Sequence, residues 1–307
     1  MIRRRPLPTN ANRMSHIEPL RPDDWTIALQ HALMRVPPEQ RQARVQHCLQ
    51  LLGAGVLDPR GIWVARRGKD ILGVQVCVPL PGSACLFWLP TADDAVTDRL
   101  VKAGLDWARS IGCKIAQAMA SPVDLPLTKP LLRHGFHAVT RMHQFTRGLT
   151  DFPDESAAPL RYENYRPSLH ALFAATLERT YLDTLDCPEL NGKRTLDEIL
   201  AGHRGQGTFH PDFWWLTFDN AAPVGVLMLT EMPDGSTWEL AYLGIVPEYR
   251  RRGFGRAMTL HALHALRAQP ATRLLLAVDE RNGPALRLYL SLGFVEIECS
   301  EVLLYFW

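Results

Sequence analysis

The residue pattern with the clearest chemistry lies in Leu243-Gly-Ile-Val-Pro-Glu-Tyr-Arg-Arg-Arg-Gly-Phe-Gly-Arg-Ala-Met258. A strand is predicted to end at Val246 and a helix to open near Gly255, with Arg250-x-x-Gly253-x-Gly255 between them. Glycine has no Cβ, so the backbone can turn tightly there and expose its N–H groups. A helix N-terminus adds unpaired donors and a partial positive charge. Residues 248–256 hold four Arg and one Glu, a local charge of +3 on a chain whose net charge is +2. Together these features make a cradle for phosphate oxygens, and a diphosphate is the natural guest. The plainer reading is a helix start with a solvated arginine cluster. The dinucleotide fingerprint G-x-G-x-x-G is absent, because Met258 stands where its last glycine would be. The nucleoside-triphosphate P-loop is absent too, since no Gly-Lys-Ser/Thr follows.

About 30 residues downstream comes Asn282-x-x-Ala285-x-x-Leu288-Tyr289-x-x-x-Gly293-Phe294. Val246-Pro247, the Arg-x-x-Gly-x-Gly turn and this second pattern, in that order and at that separation, resemble the GNAT acetyltransferase superfamily. The resemblance covers the last 150 or so residues. It implies acetyl-CoA as co-substrate, with no metal. By the same resemblance, Ile245 and Val246 would hold the pantetheine arm as a strand-like partner. Arg250, Arg251, Arg252, Gly253, Phe254, Gly255 and Arg256 would hold the diphosphate by backbone N–H and arginine contacts. Asn282 would lie near the pantetheine and Tyr289 near the thioester sulfur.

The implied reaction sets requirements for side chains. A neutral amine attacks the thioester carbonyl, and a base must take a proton from it, directly or through water. The N–H of Val246 is a candidate to polarise the carbonyl oxygen. The leaving thiol has a pKa near that of free cysteine, about 8.5. A tyrosine, with a pKa of about 10, can donate a proton to it. Tyr289 is the expected acid; otherwise it is a packed aromatic. Glu239, on the strand leading to Val246, is the expected base, or else a solvent-facing strand residue. On a regularly alternating strand it shares a face with Ala241, Leu243 and Ile245. Glu231, Asp183 and Glu189 are lesser candidates for the base. Tyr181-Leu-Asp-Thr-Leu-Asp-Cys-Pro-Glu-Leu-Asn191 falls where relatives of this kind form an acceptor lid. Its Asp183, Asp186 and Glu189 would suit a cationic amine, or simply face water.

These residues need elements to hold them. Leu160–Tyr165 is predicted as a strand and Ser168–Tyr181 as a helix with apolar residues on one stripe and Ser168 as cap. Thr195-Leu-Asp-Glu198 has the form of a capping box. Phe213–Phe218, Val224–Thr230 and Thr237–Val246 read as strands, and Arg256–Ala268 as a helix. Leu274–Val278 reads as a strand buried on both faces. Pro284–Leu292 is a short helix, and Phe294–Ile297 and Val302–Phe306 are expected to close the chain as two strands. The mixture implies an α/β (α+β mixed-sheet) fold, a central mixed sheet with helices on its faces.

The first half repeats this plan. Trp63 and Trp215, and Gly73 and Gly225, stand 152 residues apart, while Arg133-His-Gly-Phe136 and Ser291-Leu-Gly-Phe294 stand 158 apart. A nearly constant offset points to one duplicated unit with a small insertion. The expected division is a disordered tail over 1–15, a GNAT-like domain over 16–150, a polar linker over 151–158 and a catalytic GNAT domain over 159–307. The first copy lacks the phosphate cradle. Thr91-Ala-Asp-Asp-Ala-Val-Thr-Asp98 has no glycine or arginine and three aspartates, which repel a diphosphate, and Leu131 takes the place of Tyr289. It is expected to have lost acyl-CoA binding and to support the second copy or shape the acceptor site. A tandem with one active copy resembles the arrangement in mycothiol synthases.

Composition narrows the classes further. With 307 residues, 47% hydrophobic and 34 basic against 32 acidic side chains, the chain has enough apolar surface for two cores and no basic excess for nucleic acid. Residues 71–90 carry no charge over a membrane-spanning length, but Pro79, Pro81, Gly82 and Ser83 break them into two buried strands and a turn. No membrane association is expected. The six cysteines form no C-x-x-C unit, so free thiols in a reducing, cytoplasmic setting are expected. His261 and His264 are three apart on a helix with no third ligand evident. The opening Met-Ile-Arg-Arg-Arg has no apolar run behind it, and Met14 is an alternative start. The partners expected are acetyl-CoA and an amine, small or protein-borne, for a monomer or homodimer. The competing class is a non-catalytic acyl-CoA sensor or interaction protein.

Overall fold

The computed structural model describes residues 15–92, 94–154 and 160–307, so the expected tail up to residue 14 and linker residues 155–158 lie outside it. The first half runs β1 (His16–Pro19), α1 (Trp25–Ala32), α2 (Pro38–Gly53), β2 (Ile62–Arg67), β3 (Asp70–Leu80), β4 (Ala84–Phe87), α3 (Ala95–Ser110), β5 (Ile115–Ala120), α4 (Lys129–Arg133) and β6 (His137–Gly148). The second runs β7 (Leu160–Asn164), α5 (His170–Thr180), α6 (Leu196–Arg204), β8 (Trp214–Asp219), β9 (Ala222–Glu231), β10 (Thr237–Ile245), α7 (Phe254–Ala265), β11 (Arg273–Asp279), α8 (Gly283–Ser291) and β12 (Val295–Phe306). The uncharged stretch 71–90 forms β3, a turn and β4. Among the described residues no helix is long and apolar enough to cross a membrane.

The internal repeat extends to hydrogen-bond register. Ala65 faces Gly73 and Thr217 faces Gly225, and the register shifts immediately after Ala65 and immediately after Thr217. A bulge preserved at the same place in both copies is a feature of the unit that was duplicated. The strands that end the copies, β6 and β12, are each 12 residues long.

Those two strands join the halves. One twelve-stranded sheet runs β1-β2-β3-β4-β5-β12-β6-β11-β10-β9-β8-β7. The C-terminal strand lies between β5 and β6, pairing antiparallel with both. The last strand of the first copy lies between β12 and β11. Each half therefore completes its sheet with a strand from the other. Here two sequence-based expectations need correction. The chain closes in one strand rather than two, because Glu298–Glu301 contains no Gly, Pro, Asn or Asp and β6 pairs along most of its length. Ser168 does not cap α5: it sits in a 3-10 turn and its Oγ accepts from Arg166 Nε at 3.2 Å. The capping box at Thr195 and Glu198 is present in both directions.

Helices α7 and α8 cover one face of the second half, where Leu260, Leu263 and Tyr289 pack on Leu227, Trp238 and Leu276. Helices α5 and α6 cover the other, where Phe173, Leu177 and Leu200 pack on Trp214, Leu216 and Met228. The first half grips α6. Glu198 accepts from Lys114 Nζ and Ser83 Oγ, both at 2.8 Å. Gly82, at φ 84°, presses so close that a Cβ there would lie 2.1 Å from the Glu198 carbonyl oxygen. A side chain at that position needs the turn to move.

Because β6 and β12 are interleaved, a fragment of residues 160–307 leaves β11 and β12 without their shared partner. Circular dichroism and gel filtration of that fragment are expected to show loss of cooperative unfolding and self-association through the bared edges. The intact chain is expected to unfold in one transition.

Candidate active site

The site begins where two strands part. β10 pairs in parallel with β11 only over Thr237–Glu239 against Arg273–Leu275. Beyond Glu239, β10 follows β9 and β11 follows β6, which opens a fork. Val246 N–H donates to Val224 O at 2.9 Å, so Gly244 and Val246 point their backbone groups towards β9. In antiparallel pairing the alternate residues point away. The free edge of β10 in the fork is thus formed by Leu243 and Ile245. This corrects the expectation for Val246, whose N–H is committed to β9. The amides of Leu243 and Ile245 are the donors that face the opening.

A cavity of about 650 Å³ fills the fork on the side of α7 and α8. Its walls include Ile245, Arg251, Gly253, Gly255, Asn282 and Tyr289. At its mouth the turn before α7 takes left-handed conformations at Arg251 (φ 64°) and Gly253 (φ 80°). This curls the backbone so that the amides from Arg251 to Arg256 meet no acceptor among the described residues. The resulting nest and the start of α7 give the anion cradle expected from the glycine pattern.

The arginines divide by role. Arg251 and Arg256 line the cavity, with Arg256 also donating to Ser291 Oγ at 3.3 Å. Arg252 turns away, over the Tyr249 ring at 4.7 Å, and donates to Glu248 O at 2.9 Å. The Arg250 guanidinium is spent on four carbonyls: Ile245 and Thr180 at 3.0 Å, Asp183 at 3.0 Å and Leu182 at 2.7 Å. It staples the end of α5 and the following loop to β10. The Arg252 side chain, outside the cavity, is therefore not placed for a diphosphate as expected, while Arg250 lines the cavity with most of its donors committed to carbonyls. The Phe254 side chain is in the core, leaving its amide for the cradle. Asn282 Oδ1 accepts from Ala285 N at 3.3 Å, capping α8 while the residue lines the cavity.

Tyr289 reaches the cavity from α8 with its ring against Phe294. Burial first, and the nearby Asp186 carboxylate second, raise its pKa, so the phenol holds its proton at neutral pH.

A second cavity, about 430 Å³, lies on the α5–α6 face and includes Glu178, Tyr181, His203, Glu239, Tyr242 and Met142 from the first half. Asp186, Ala241, Tyr242 and Ala277 line both cavities, so the two meet across the fork. Glu239 stands at the fork's apex. It has no hydrogen-bond or ion-pair partner among the described residues, and burial raises its pKa above the usual carboxylate value. The expected alternation fails after it. A bulge between Leu240 and Tyr242 leaves Glu239, Ala241 and Tyr242 towards α5 and α6, and turns Leu243 and Ile245 to the α7 side. The carboxylate and the strand edge thus serve different cavities.

Of the lid acids, Glu189 is held by Arg281 at 2.7 and 3.0 Å, and Asp183 lines only the larger cavity. Glu231 is paired with His210 at 2.7 Å. Asp186 was read from sequence as a lid acid alone. In the structure its Oδ1 accepts from the Asp279 amide at 3.0 Å, and burial raises its pKa. Asp279, missed entirely, is a fully buried carboxylate. It accepts from Thr140 Oγ1 of the first half at 2.6 Å, from Cys187 N at 3.0 Å and from Arg281 at 2.7 Å. Although burial opposes ionisation, these donors hold its pKa at about 2. No spacing rule reveals it, because its partners are 139 and 92 residues away. His143, Glu296 and Cys299 also come together across β6 and β12, within 4.8 Å of one another, again through the strand exchange. His143 Nδ1 is bonded to Glu296 at 2.9 Å.

In the first half the corresponding positions are closed. Asp94 caps α3 by accepting from Thr97 N at 2.8 Å, Asp98 pairs with Arg133 at 2.9 Å, and Leu131 is fully buried.

Residues 177–294 match the acetyltransferase (GNAT) family model. A mycothiol acetyltransferase of Thermobispora bispora is 47% identical over 114 residues, 36% of this chain and 38% of the relative, so the chain aligns with well under two thirds of that relative's length. Among solved structures, a GCN5-related N-acetyltransferase of Sphaerobacter thermophilus has the same fold with a TM-score of 0.62 at 16% identity, covering 97% of each chain. A tandem GNAT protein from the clavulanic acid biosynthesis pathway gives 0.54 at 14% identity, covering 95% and 98%.

Two outcomes test this account of the site. Arg250→Ala should lower stability by about 1–3 kcal/mol, read by denaturant unfolding, since four carbonyls, two of them part-buried, lose a charged donor. Asp279 has a depressed pKa, so its contribution is complete above the unfolded-state value near 4 and is lost as pH falls towards 2. Asp279→Asn should remove that part of the acid-unfolding curve.

Proposed function

We propose that the chain is an acetyltransferase of the GNAT superfamily, whose family model matches residues 177–294, and that it transfers an acetyl group from acetyl-CoA to a primary amine in its C-terminal half. The observation that carries the reading is the pair of cavities meeting at the β10–β11 fork, one with an anion cradle at its mouth and the other holding an unpaired carboxylate.

In this reading the amides of Arg251–Arg256 and the arginines that line the cavity hold the diphosphate. The free edge of β10 at Leu243 and Ile245 pairs with the pantetheine arm and directs N–H groups at the thioester region. The smaller cavity takes the acceptor. Glu239, with its raised pKa, removes the proton of the attacking amine, directly or through water. The amine nitrogen forms a bond to the acetyl carbon, the carbon–sulfur bond breaks, and Tyr289 protonates the departing thiolate. The first half contributes Met142 to the acceptor wall and holds α6 in place. The mycothiol acetyltransferases support acetyl transfer; their partial alignments leave the acceptor to be determined.

An amine-library screen with acetyl-CoA, reading free thiol, tests the proposal. Tyr289→Phe should lower kcat by about 10²- to 10⁴-fold with coenzyme A affinity nearly unchanged. Glu239→Gln should abolish the acidic limb of the kcat/KM profile, a limb that lies above the ordinary carboxylate range because burial raises the wild-type pKa. Coenzyme A binding with no turnover across the library identifies a sensor instead.

A further inference from the structure

The smaller cavity holds one guanidinium, that of Arg194, and no lysine lines it. Arg147 Nη1 and Arg204 Nε are also buried without an acceptor, but Arg147 pairs with Asp151 at 3.2 Å and Arg204 donates to Tyr165 Oη at 2.7 Å, while Arg250 gives its donors to four carbonyls. Arg194 is different. Its Nε is buried with no acceptor, it makes no ion pair among the described residues, and its one hydrogen bond is a long contact of 3.4 Å to Gly82 O. Burial disfavours its charge enough to lower its pKa. A guanidinium presents five donors in a fork that matches a carboxylate or phosphate edge, and a desolvated one left without an anion is costly.

Its position relative to the reaction centre is also defined. Arg194 exerts its charge on Tyr181 and His203. Those rings pack against Tyr242, at centroid separations of 5.4 and 5.3 Å, and Tyr242 lines the fork. Burial lowers the His203 pKa to about 4, so that ring is neutral at physiological pH and adds no competing cation. Glu239 marks the fork end of the cavity and Arg194 the end beyond this layer of rings. The acidic wall residues Glu178, Asp186 and Glu239 favour an ammonium at one end, and Arg194 favours an anion at the other.

The geometry points to an acceptor that carries an oxyanion as well as its amine, with Arg194 as the specificity-determining residue that binds the oxyanion. This rests on the smaller cavity being the acceptor site. A carboxylate and a phosphate share the required chemistry, and the test separates them.

The probes are ω-amino carboxylates of two to six carbons, phosphoethanolamine, and alkylamines of matching length. Wild type, Arg194→Met and Arg194→Lys are assayed for thiol release from acetyl-CoA and for probe binding by calorimetry in the presence of coenzyme A. Wild type should prefer one oxyanion series, with the favoured series identifying carboxylate or phosphate. Arg194→Met should lose at least about tenfold of that preference through KM, with kcat and coenzyme A affinity little changed, because an unpaired anion is left in the cavity. Arg194→Lys should recover part of it. Equal use of neutral and anionic amines, or a preference untouched by Arg194→Met, overturns the inference. Should no amine turn over, calorimetry still decides: oxyanion binding that disappears in Arg194→Met upholds the anion site while the proposed transferase activity fails. Absence of oxyanion binding by wild type refutes the site.

Discussion

Three residues of parallel pairing, Thr237–Glu239 against Arg273–Leu275, tie β10 to β11, and the usefulness of the second half depends on their stopping there. A strand inside a sheet satisfies its backbone groups on both sides. Once β11 has left, the outward groups of β10 need another partner, which Arg250 supplies only for the Ile245 carbonyl. The fork therefore creates a demand for an extended ligand, and the nest before α7 supplies an anion anchor for that ligand's far end. The bulge at Ala241 belongs to the same device. It sends Glu239 to one face and Leu243 and Ile245 to the other, so in the proposed reaction the carboxylate and the strand edge would approach the acetyl group from opposite sides.

Keeping the fork open requires that β11 be held elsewhere, and the first half provides this through β6. The same half braces α6 through Ser83 and Lys114, and supplies Thr140 to the buried Asp279. Asp279 in turn fixes the Cys187 amide, and its own amide fixes Asp186 at the junction of the cavities. The copy without a phosphate cradle thus acts as a mechanical frame, with Asp94 serving as a helix cap and Asp98 as an ion-pair partner.

Much of this was legible in the sequence wherever the signal was local. The glycines at 253 and 255 announced a tight turn, the capping box at Thr195 announced α6, and nearly constant offsets revealed the repeat, to which the structure adds a shared bulge. The resemblance to the acetyltransferase superfamily pointed to Tyr289 and the strand order to Glu239, and the two residues line the two cavities at the fork. What escaped were facts set by partners distant in sequence. An arginine beside a phosphate cradle reads as a phosphate ligand, and only the carbonyls of Thr180, Leu182 and Asp183 make Arg250 a staple. The Val246 amide reads as free until β9 is seen beside it. Alternation along β10 holds up to a single inserted residue, which composition does not mark. Asp279 resembles any acid at the end of a strand until three segments are seen to converge on it.

The exchange of final strands also bears on how the molecule is made. β12 spans Val295–Phe306, yet it fills the gap between β5 and β6 in the half synthesised first. The N-terminal half therefore waits on the ribosome with both of those edges bare until residues 295–306 have been made and released from the exit tunnel. Closure of the sheet is then a late, long-range event, of the kind that slows folding and exposes nascent chains to mispairing with one another. The strand that locks the first half in place is thus made long after that half.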